Sequence, residues 1–354
     1  MNLPPIKLSK YFGAALDGKT DDTKALQLAL AVGGDLGQDV VIPAGVTVAY
    51  SSALDITGIE LVGGIGATLH ALAADNIALI LNGTEPAVRN LRLTGIKPPG
   101  RLRSGVSARV FVRGASDFTV SGMRIESGAS SGILMEEASS GTVSENSIGG
   151  QLADFIHISN RSHDILVEEN TCDGATNDPG TGDDGIAVVS YRRQGAVCYS
   201  IVARRNTIRN LKGGRAMSIV GGSHVTYENN MLTNNPHAAG LYICREKGYD
   251  TFGVTSVTAF RNTLVDCGNS AERDHPAIML FTDDVEPNRD VSIVGNLVLF
   301  TEKLASRDGV FLYGQRQTEV RVEGNLVVGA RKDYRIGTPG VSVVAYSSGA
   351  VGVI

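Results

Sequence analysis

From residue 131 onward the chain repeats one short pattern of apolar and polar positions. Seven segments, "SGILME", "DFIHIS", "DGIAVV", "RAMSIV", "AGLYIC", "PAIMLF" and "DGVFLY", align with apolar residues at their third and fifth positions. The third column reads Ile133, Ile156, Ile186, Met217, Leu241, Ile278 and Val310, and the fifth Met135, Ile158, Val188, Ile219, Ile243, Leu280 and Leu312. A period of two is the mark of strands that bury one face. Helical periodicity is nearly absent from this stretch. Each segment precedes a second phrase, an asparagine followed by a short apolar run. These asparagines are Asn146, Asn170, Asn206, Asn230, Asn262, Asn296 and Asn325, spaced by 24 to 36 residues.

A core column that recurs once per coil predicts a parallel β-solenoid. Stacking puts isoleucine on isoleucine and asparagine on asparagine, ~4.8 Å apart along the axis. Asparagine amides can form a hydrogen-bonded ladder at a tight bend, where Asn also tolerates left-handed backbone. The variable spacing falls in loops, as expected of a right-handed β-helix. The start differs: "YFGAALDGKTDDTKALQLALAVGGDLGQDVVIPAGVTV" reads as strand, turn, helix and strand. Thr20 or Asp21 caps a helix over 22–32 with a buried face of Ala25, Leu26, Leu28, Ala29 and Leu30. Such a helix would close the open end of the solenoid. The expected architecture is an all-β, single-stranded right-handed parallel β-helix with an N-terminal α-helical cap. It forms one domain over 1–354, with the cap in 1–50, coils in 51–345 and a C-terminal tail in 346–354.

Composition agrees: 43 glycines and no tryptophan suit a turn-rich β protein. With 32 basic against 37 acidic residues there is no basic excess for nucleic acid. No apolar run approaches the ~20 residues of a membrane span. The opening "MNLPPIKLSK" has no apolar signal-peptide core. Cys172, Cys198, Cys244 and Cys267 lack metal-ligand spacing and are expected as buried free thiols.

Candidate chemistry gathers at "TGDDGIAVVSY", residues 181–191. In the alignment Asp154, Asp184 and Arg215 share the first position of consecutive segments, so they should stack ~5 Å apart at one sheet edge, with Asp183 beside them. Three carboxylates so close should raise one pKa while Arg215 holds another down. That split is what glycoside hydrolysis requires, although turn aspartates or a divalent-cation site would use the same residues. The loop "DGATNDPGTG" (173–182) is expected to shape a cleft. Tyr191, Arg192 and Arg193 leave the same strand and are candidates to grip an acidic sugar. His157 and Tyr242 share an outward strand position suited to sugar stacking, and His237 and His275 lie in turns near the same edge. His163 and His224 are expected in turns between sheets, and Asp283 and Asp284 in a surface loop.

"FGA…DGKTDDTKALQLAL…VVIPAGVTV" resembles the opening of the pectate-lyase-like β-helix superfamily, which includes polysaccharide lyases, polygalacturonase-type hydrolases, mannuronan epimerases and phage tailspikes. "TGDDGIAVVS" is similar to the paired-aspartate motif of the polygalacturonase-type hydrolases. Their next strand motif corresponds to "GGRAMSIVGG", with Gly214 where the family has a histidine. Their third aspartate corresponds to Asp154, preceded here by Leu-Ala rather than Asn-Thr. Their arginine/lysine motif has no clear match in "GLYICREK", where Arg245 and Lys247 are nearest.

The resemblance implies hydrolysis of an extracellular, acidic polysaccharide on the outer face of the solenoid, without cofactor or metal. Asp183 would be the acid and Asp154 with Asp184 the water-activating bases, in an inverting arrangement. Arg215, Tyr242, Arg245, His157, Tyr191 and His237 would contact substrate. One alternative is a lyase, with Ca²⁺ held by the three aspartates near Arg215 or Arg245. The other is a tailspike or adhesin that binds glycan without cutting it. The expected partner is a polysaccharide, with no nucleic acid or membrane. The protein would be a monomer or homotrimer, secreted or virion-associated.

Overall fold

A computed structural model of the chain describes residues 4–174, 182–268, 273–283, 285–301, 307–314, 317–338, 341, 343–347 and 350–353. Each coil contributes three short strands. One coil runs Ile156–Ser159, His163–Glu168 and Thr171–Asp173, and the next begins at Ile186–Val189. The first strands of the coils stack into a sheet of eleven, from Leu54–Thr57 to Lys332–Gly337. The second and third strands form two more parallel stacks, joined where Gln317–Val328 pairs in both. Among the described strands, only Val343–Ser347 and Ala350–Val353 pair antiparallel.

The register reproduces the repeat. Ile133, Ile156, Ile186, Met217, Leu241, Ile278 and Val310 are paired in series, and so are the residues of the fifth column. Both columns point into one continuous core. Each large aliphatic side chain buried there contributes roughly 1.5–3 kcal/mol. The intervening positions face the outside of the sheet, where the candidate chemistry lies.

The asparagines form the expected ladder, and all seven are buried. The peptide N–H and side-chain amide of each donate to Oδ1 of the next, at 2.8 to 3.1 Å from Asn146 to Asn325. The left-handed residue, however, stands one place earlier. Glu145, Glu169, Arg205, Asn229, Arg261, Gly295 and Gly324 have φ between +53° and +65°. The corner is turned by a residue directed to solvent, which leaves the asparagine free to aim its amide inward.

The helix spans Thr23–Leu36, ending four residues later than expected, at left-handed Gly37. Asp21 Oδ1 accepts the Thr23 N–H at 3.0 Å. The Asp22 carboxylate turns back to accept from Ala15 and Leu16. Ala25, Leu26, Ala29, Leu30 and Gly33 are buried, but Leu28 lies off that stripe and is exposed. Stacking already begins within the cap segment, where Ile6–Lys7 pairs with Val40–Ile42 and Thr47–Tyr50 with Thr68–Ala71. His163 and His224 lie in strands rather than turns, where single left-handed residues, Asp164 and His224 itself, bend the chain without ending the pairing. The four cysteines are free and buried.

Candidate functional site

The predicted edge column assembles through hydrogen bonds between coils. The Asp184 N–H donates to Asp154 Oδ1 at 2.8 Å, and the Arg215 N–H to Asp184 Oδ1 at 2.7 Å. Each carboxylate therefore caps the peptide of the following coil, which holds the stack in register. Arg215 Nε approaches Asp184 Oδ1 to 3.4 Å. Asp183 points outward, its side chain 32% exposed against 11% for Asp154 and 6% for Asp184. One oxygen from each aspartate lies within 4.8 Å of the other two.

The two buried aspartates are driven in opposite directions. Burial pushes Asp184 up to about 7, with help from the charges of Asp154 and Asp183 and against Arg215 and the Ser218 hydroxyl, 2.5 Å from Oδ2. Burial also opposes the charge of Asp154. There the bond from His157 Nδ1 at 2.6 Å, the imidazolium charge and the Asp184 N–H prevail, and the carboxyl is held below its ordinary range. His157 is disfavoured as a cation by burial, yet Asp154 outweighs this and raises it. Near neutrality the column thus holds one ionised carboxylate and one carboxyl that shares its time with a proton.

These groups open into a cleft of about 190 Å³. Ala187, Val189 and Val220 line its apolar part, and Tyr191, Glu246 and Tyr249 stand along it. Arg101 and Arg103 also line it. Arg101 Nη1 donates to Asp183 Oδ2 at 2.7 Å, across 82 residues of sequence. The loop "KPPGRLRSG" is readable as a loop, but nothing in its composition says where its arginines land. Sequence reasoning also missed Ser218, which sits in the outward column between Ala187 and Tyr242.

The other expected site residues divide. Tyr191 lines the cleft, with Arg193 4.2 Å over its ring and its phenol pushed up to about 12 by burial. Arg192 is taken up by Glu286 and Asp250. Arg215 bridges Asp184 to Glu246, 3.4 Å from each. His157 lines the cleft and is bonded through Nδ1 to Asp154. Tyr242 offers no open platform: it is buried, with Arg215 4.7 Å over its ring and His275 stacked at 5.4 Å. Arg245 does not reach the cleft. Its side chain, 2% exposed, turns into its own loop, where Nε donates to Thr251 O at 3.0 Å and Nη1 pairs with Asp283. Asp283 is thereby anchored, while Lys247 opens the exposed turn of 3-10 helix Lys247–Tyr249. His237 is half-buried and does not line the cleft. Residues 175–181 of the loop expected to shape the cleft, and Asp284, lie outside the described residues.

Gly214 has φ +48°, and a Cβ there would lie 2.2 Å from the carbonyl carbon of Asp183. No histidine fits at that position. The imidazole of this site comes instead from His157, on the strand of Asp154.

The aspartate trio suits Ca²⁺ poorly. Five of its six carboxylate oxygens already accept from the chain, leaving Asp183 Oδ1 without a donor among the described residues. Ca²⁺ takes six to eight oxygen ligands, whereas two guanidinium groups crowd this trio.

Residues 77–251 match a family model described as a right-handed β-helix region. Comparison with curated proteins gives no match. Among solved structures, the catalytic domain of a GH87 α-1,3-glucanase in complex with nigerose superposes with a TM-score of 0.71 at 18% identity. That match covers 98% of this chain, which spans 62% of the glucanase domain. Other structures of GH87 α-1,3-glucanase carry single aspartate-to-alanine replacements, two at adjacent positions and one upstream. The A-module of the Azotobacter vinelandii mannuronan C-5 epimerase AlgE4 matches at 0.66 and 16% identity, covering 96% of this chain and all of the module. The catalytic unit of a GH87 α-1,3-glucanase from Streptomyces thermodiastaticus matches at 0.65 and 17%, covering 99% of this chain and 67% of that one. At such identities the likeness is one of fold, and it agrees with the family model and the strand register: the chain is a right-handed parallel β-helix protein.

Proposed function

We propose that this protein is a carbohydrate-active enzyme that hydrolyses glycosidic bonds of an extracellular, acidic polysaccharide in the cleft at Asp154, Asp183 and Asp184. The observation that carries this reading is the opposed titration of two stacked carboxyls, Asp184 raised to about 7 and Asp154 lowered. A proton donor and an ionised base side by side are the two groups the reaction needs. Similarly folded structures are named as a glucanase and a mannuronan epimerase, which supports a polysaccharide as the substrate.

In the proposed reaction a water oxygen attacks the anomeric carbon while the bond to the leaving oxygen breaks. The leaving oxygen takes the proton of Asp184, and the water gives one to Asp154. Asp183, with one carboxylate oxygen unengaged, meets substrate or water at the mouth. This reading assigns the acid to Asp184 rather than to Asp183, because Asp184 is the carboxyl raised to about 7. The scheme uses no cofactor. Reducing ends and ultraviolet-absorbing unsaturated ends should be assayed together on a polysaccharide panel. Reducing ends alone are expected. Unsaturated products would assign elimination instead, and full cleavage by the Asp183→Asn, Asp184→Asn double variant would remove the aspartates from the chemistry.

A further inference from the structure

The ion pairs of the cleft engage all its cations but one guanidinium among the described residues. Four carboxylates line it: Asp154, Asp183, Asp184 and Glu246. Asp154 faces His157, Asp183 faces Arg101, and Asp184 and Glu246 share Arg215. Every acidic side chain of the lining therefore has a cationic neighbour. Arg103 is exposed and lines the same cleft, yet it has no carboxylate partner among the described residues. Its backbone is secured by the two residues before it. Arg101 is tied to Asp183, and the Leu102 N–H donates to Ala129 O at 2.8 Å. Tyr249, which also lines the cleft, is 64% exposed at the end of its short helical turn.

A guanidinium on a secured segment, with no carboxylate partner among the described residues, offers two parallel N–H donors, which match a carboxylate and find no equal in a sugar hydroxyl. An exposed tyrosine lining the same cleft presents an aromatic face and a polar tip, and such a side chain can pack on the apolar side of a pyranose. Resting on the glycan-cleaving reading of the cleft, we propose that Arg103 selects for uronate by binding a sugar-ring carboxylate while Tyr249 packs on a neighbouring pyranose. The protein would then favour polyuronates over neutral glucans, although both kinds of polymer appear among the proteins that share its fold.

Affinity electrophoresis tests this without requiring cleavage. The protein is run in gels containing polymannuronate, polygalacturonate or a soluble neutral glucan, with its aspartates intact because replacing Asp183 would release Arg101. Retardation should be greater in at least one acidic gel than in the neutral one, and should weaken with added salt. Arg103→Gln should cut the acidic affinity about tenfold, with Arg103→Lys restoring part of it. Tyr249→Ala should weaken binding and Tyr249→Phe should not. Equal retardation in neutral and acidic gels, no retardation in any gel, or unchanged affinity in Arg103→Gln would overturn the proposal. A polyuronate that binds in the expected way but is never cut would instead refute the hydrolase reading and leave Arg103 its role.

Discussion

Gly214 packs directly on the peptide that joins Asp183 to Asp184. A side chain at 214 would have its Cβ 2.2 Å from the Asp183 carbonyl carbon and 2.5 Å from the Asp184 nitrogen, and the residue's φ of +48° suits glycine. The coil bearing Arg215 can therefore approach the aspartates closely only because residue 214 has no side chain. Gly214→Ala should displace the pair and lower kcat about a hundredfold, as misplacement of order 1 Å does. Gly214→His should be no better, although it installs the residue that the polygalacturonase resemblance would supply. Initial rates, with circular dichroism to confirm a folded solenoid, decide this. An active Gly214→His protein would show that the site tolerates what the packing forbids.

The raised value of Asp184 makes a signed prediction about pH. A carboxyl raised on folding contributes stability that is fully present below its unfolded value of about 3.8 and is lost as pH rises through about 7. Asp154, lowered on folding, acts in the opposite sense: its contribution is present above the ordinary value and is lost as pH falls through the folded one. Asp184→Asn removes the first effect. The Tm of wild type relative to Asp184→Asn should therefore decline between about pH 4 and pH 7 and level off above. Activity should fall over the upper part of the same range as Asp184 loses its proton. A Tm difference that is flat across this range would refute the shift.

The asparagine ladder predicts a stability loss far from the cleft. Asn206 Oδ1 accepts the peptide N–H and amide of Asn170, and its own amide donates to Val167 O and Asn230 Oδ1. Asn206→Ala strands buried donors on the neighbouring coil and should cost at least about 3 kcal/mol in denaturant unfolding. Asn206→Asp keeps the acceptor but buries a charge, so it should be worse at neutral pH and recover partly in acid. A loss below 1 kcal/mol for both would mean that water or backbone shifts replace the ladder.

Arg245 should behave as a structural residue. Its guanidinium is buried against Thr251 O and Asp283, so Arg245→Met leaves the Asp283 carboxylate without its partner. The variant should lose several degrees in Tm, with KM essentially unchanged once measured well below that temperature. A raised KM with unchanged Tm would return Arg245 to the substrate.

The repeat made much of the fold legible. Ile156, Ile186 and Met217 align in sequence because each meets its predecessor in the same way, and one alignment yields strand, register and buried face together. The same register placed Asp154, Asp184 and Arg215 in one column, which the hydrogen bonds between coils reproduce. Local patterning was less informative at single corners. It put the left-handed backbone on Asn170, whereas the exposed Glu169 before it adopts that conformation.

What the sequence determined by itself is thus everything that recurs with the coil: the apolar columns, the amide ladder and the acidic edge. Recurrence works because every turn repeats one set of short-range contacts, so each copy of the pattern corroborates the others. The tertiary structure decided what does not recur. Arg101 and Arg103 reach the cleft from a loop of unrepeated length. Tyr242 and Arg245 are withdrawn from it by neighbours that only the fold supplies. Asp184 and Asp154, alike in sequence position, part in protonation because His157 outweighs burial at Asp154, whereas at Asp184 burial and the charges of Asp154 and Asp183 outweigh Arg215 and the Ser218 hydroxyl. Those outcomes depend on distances between segments far apart in the chain, and no local pattern encodes them.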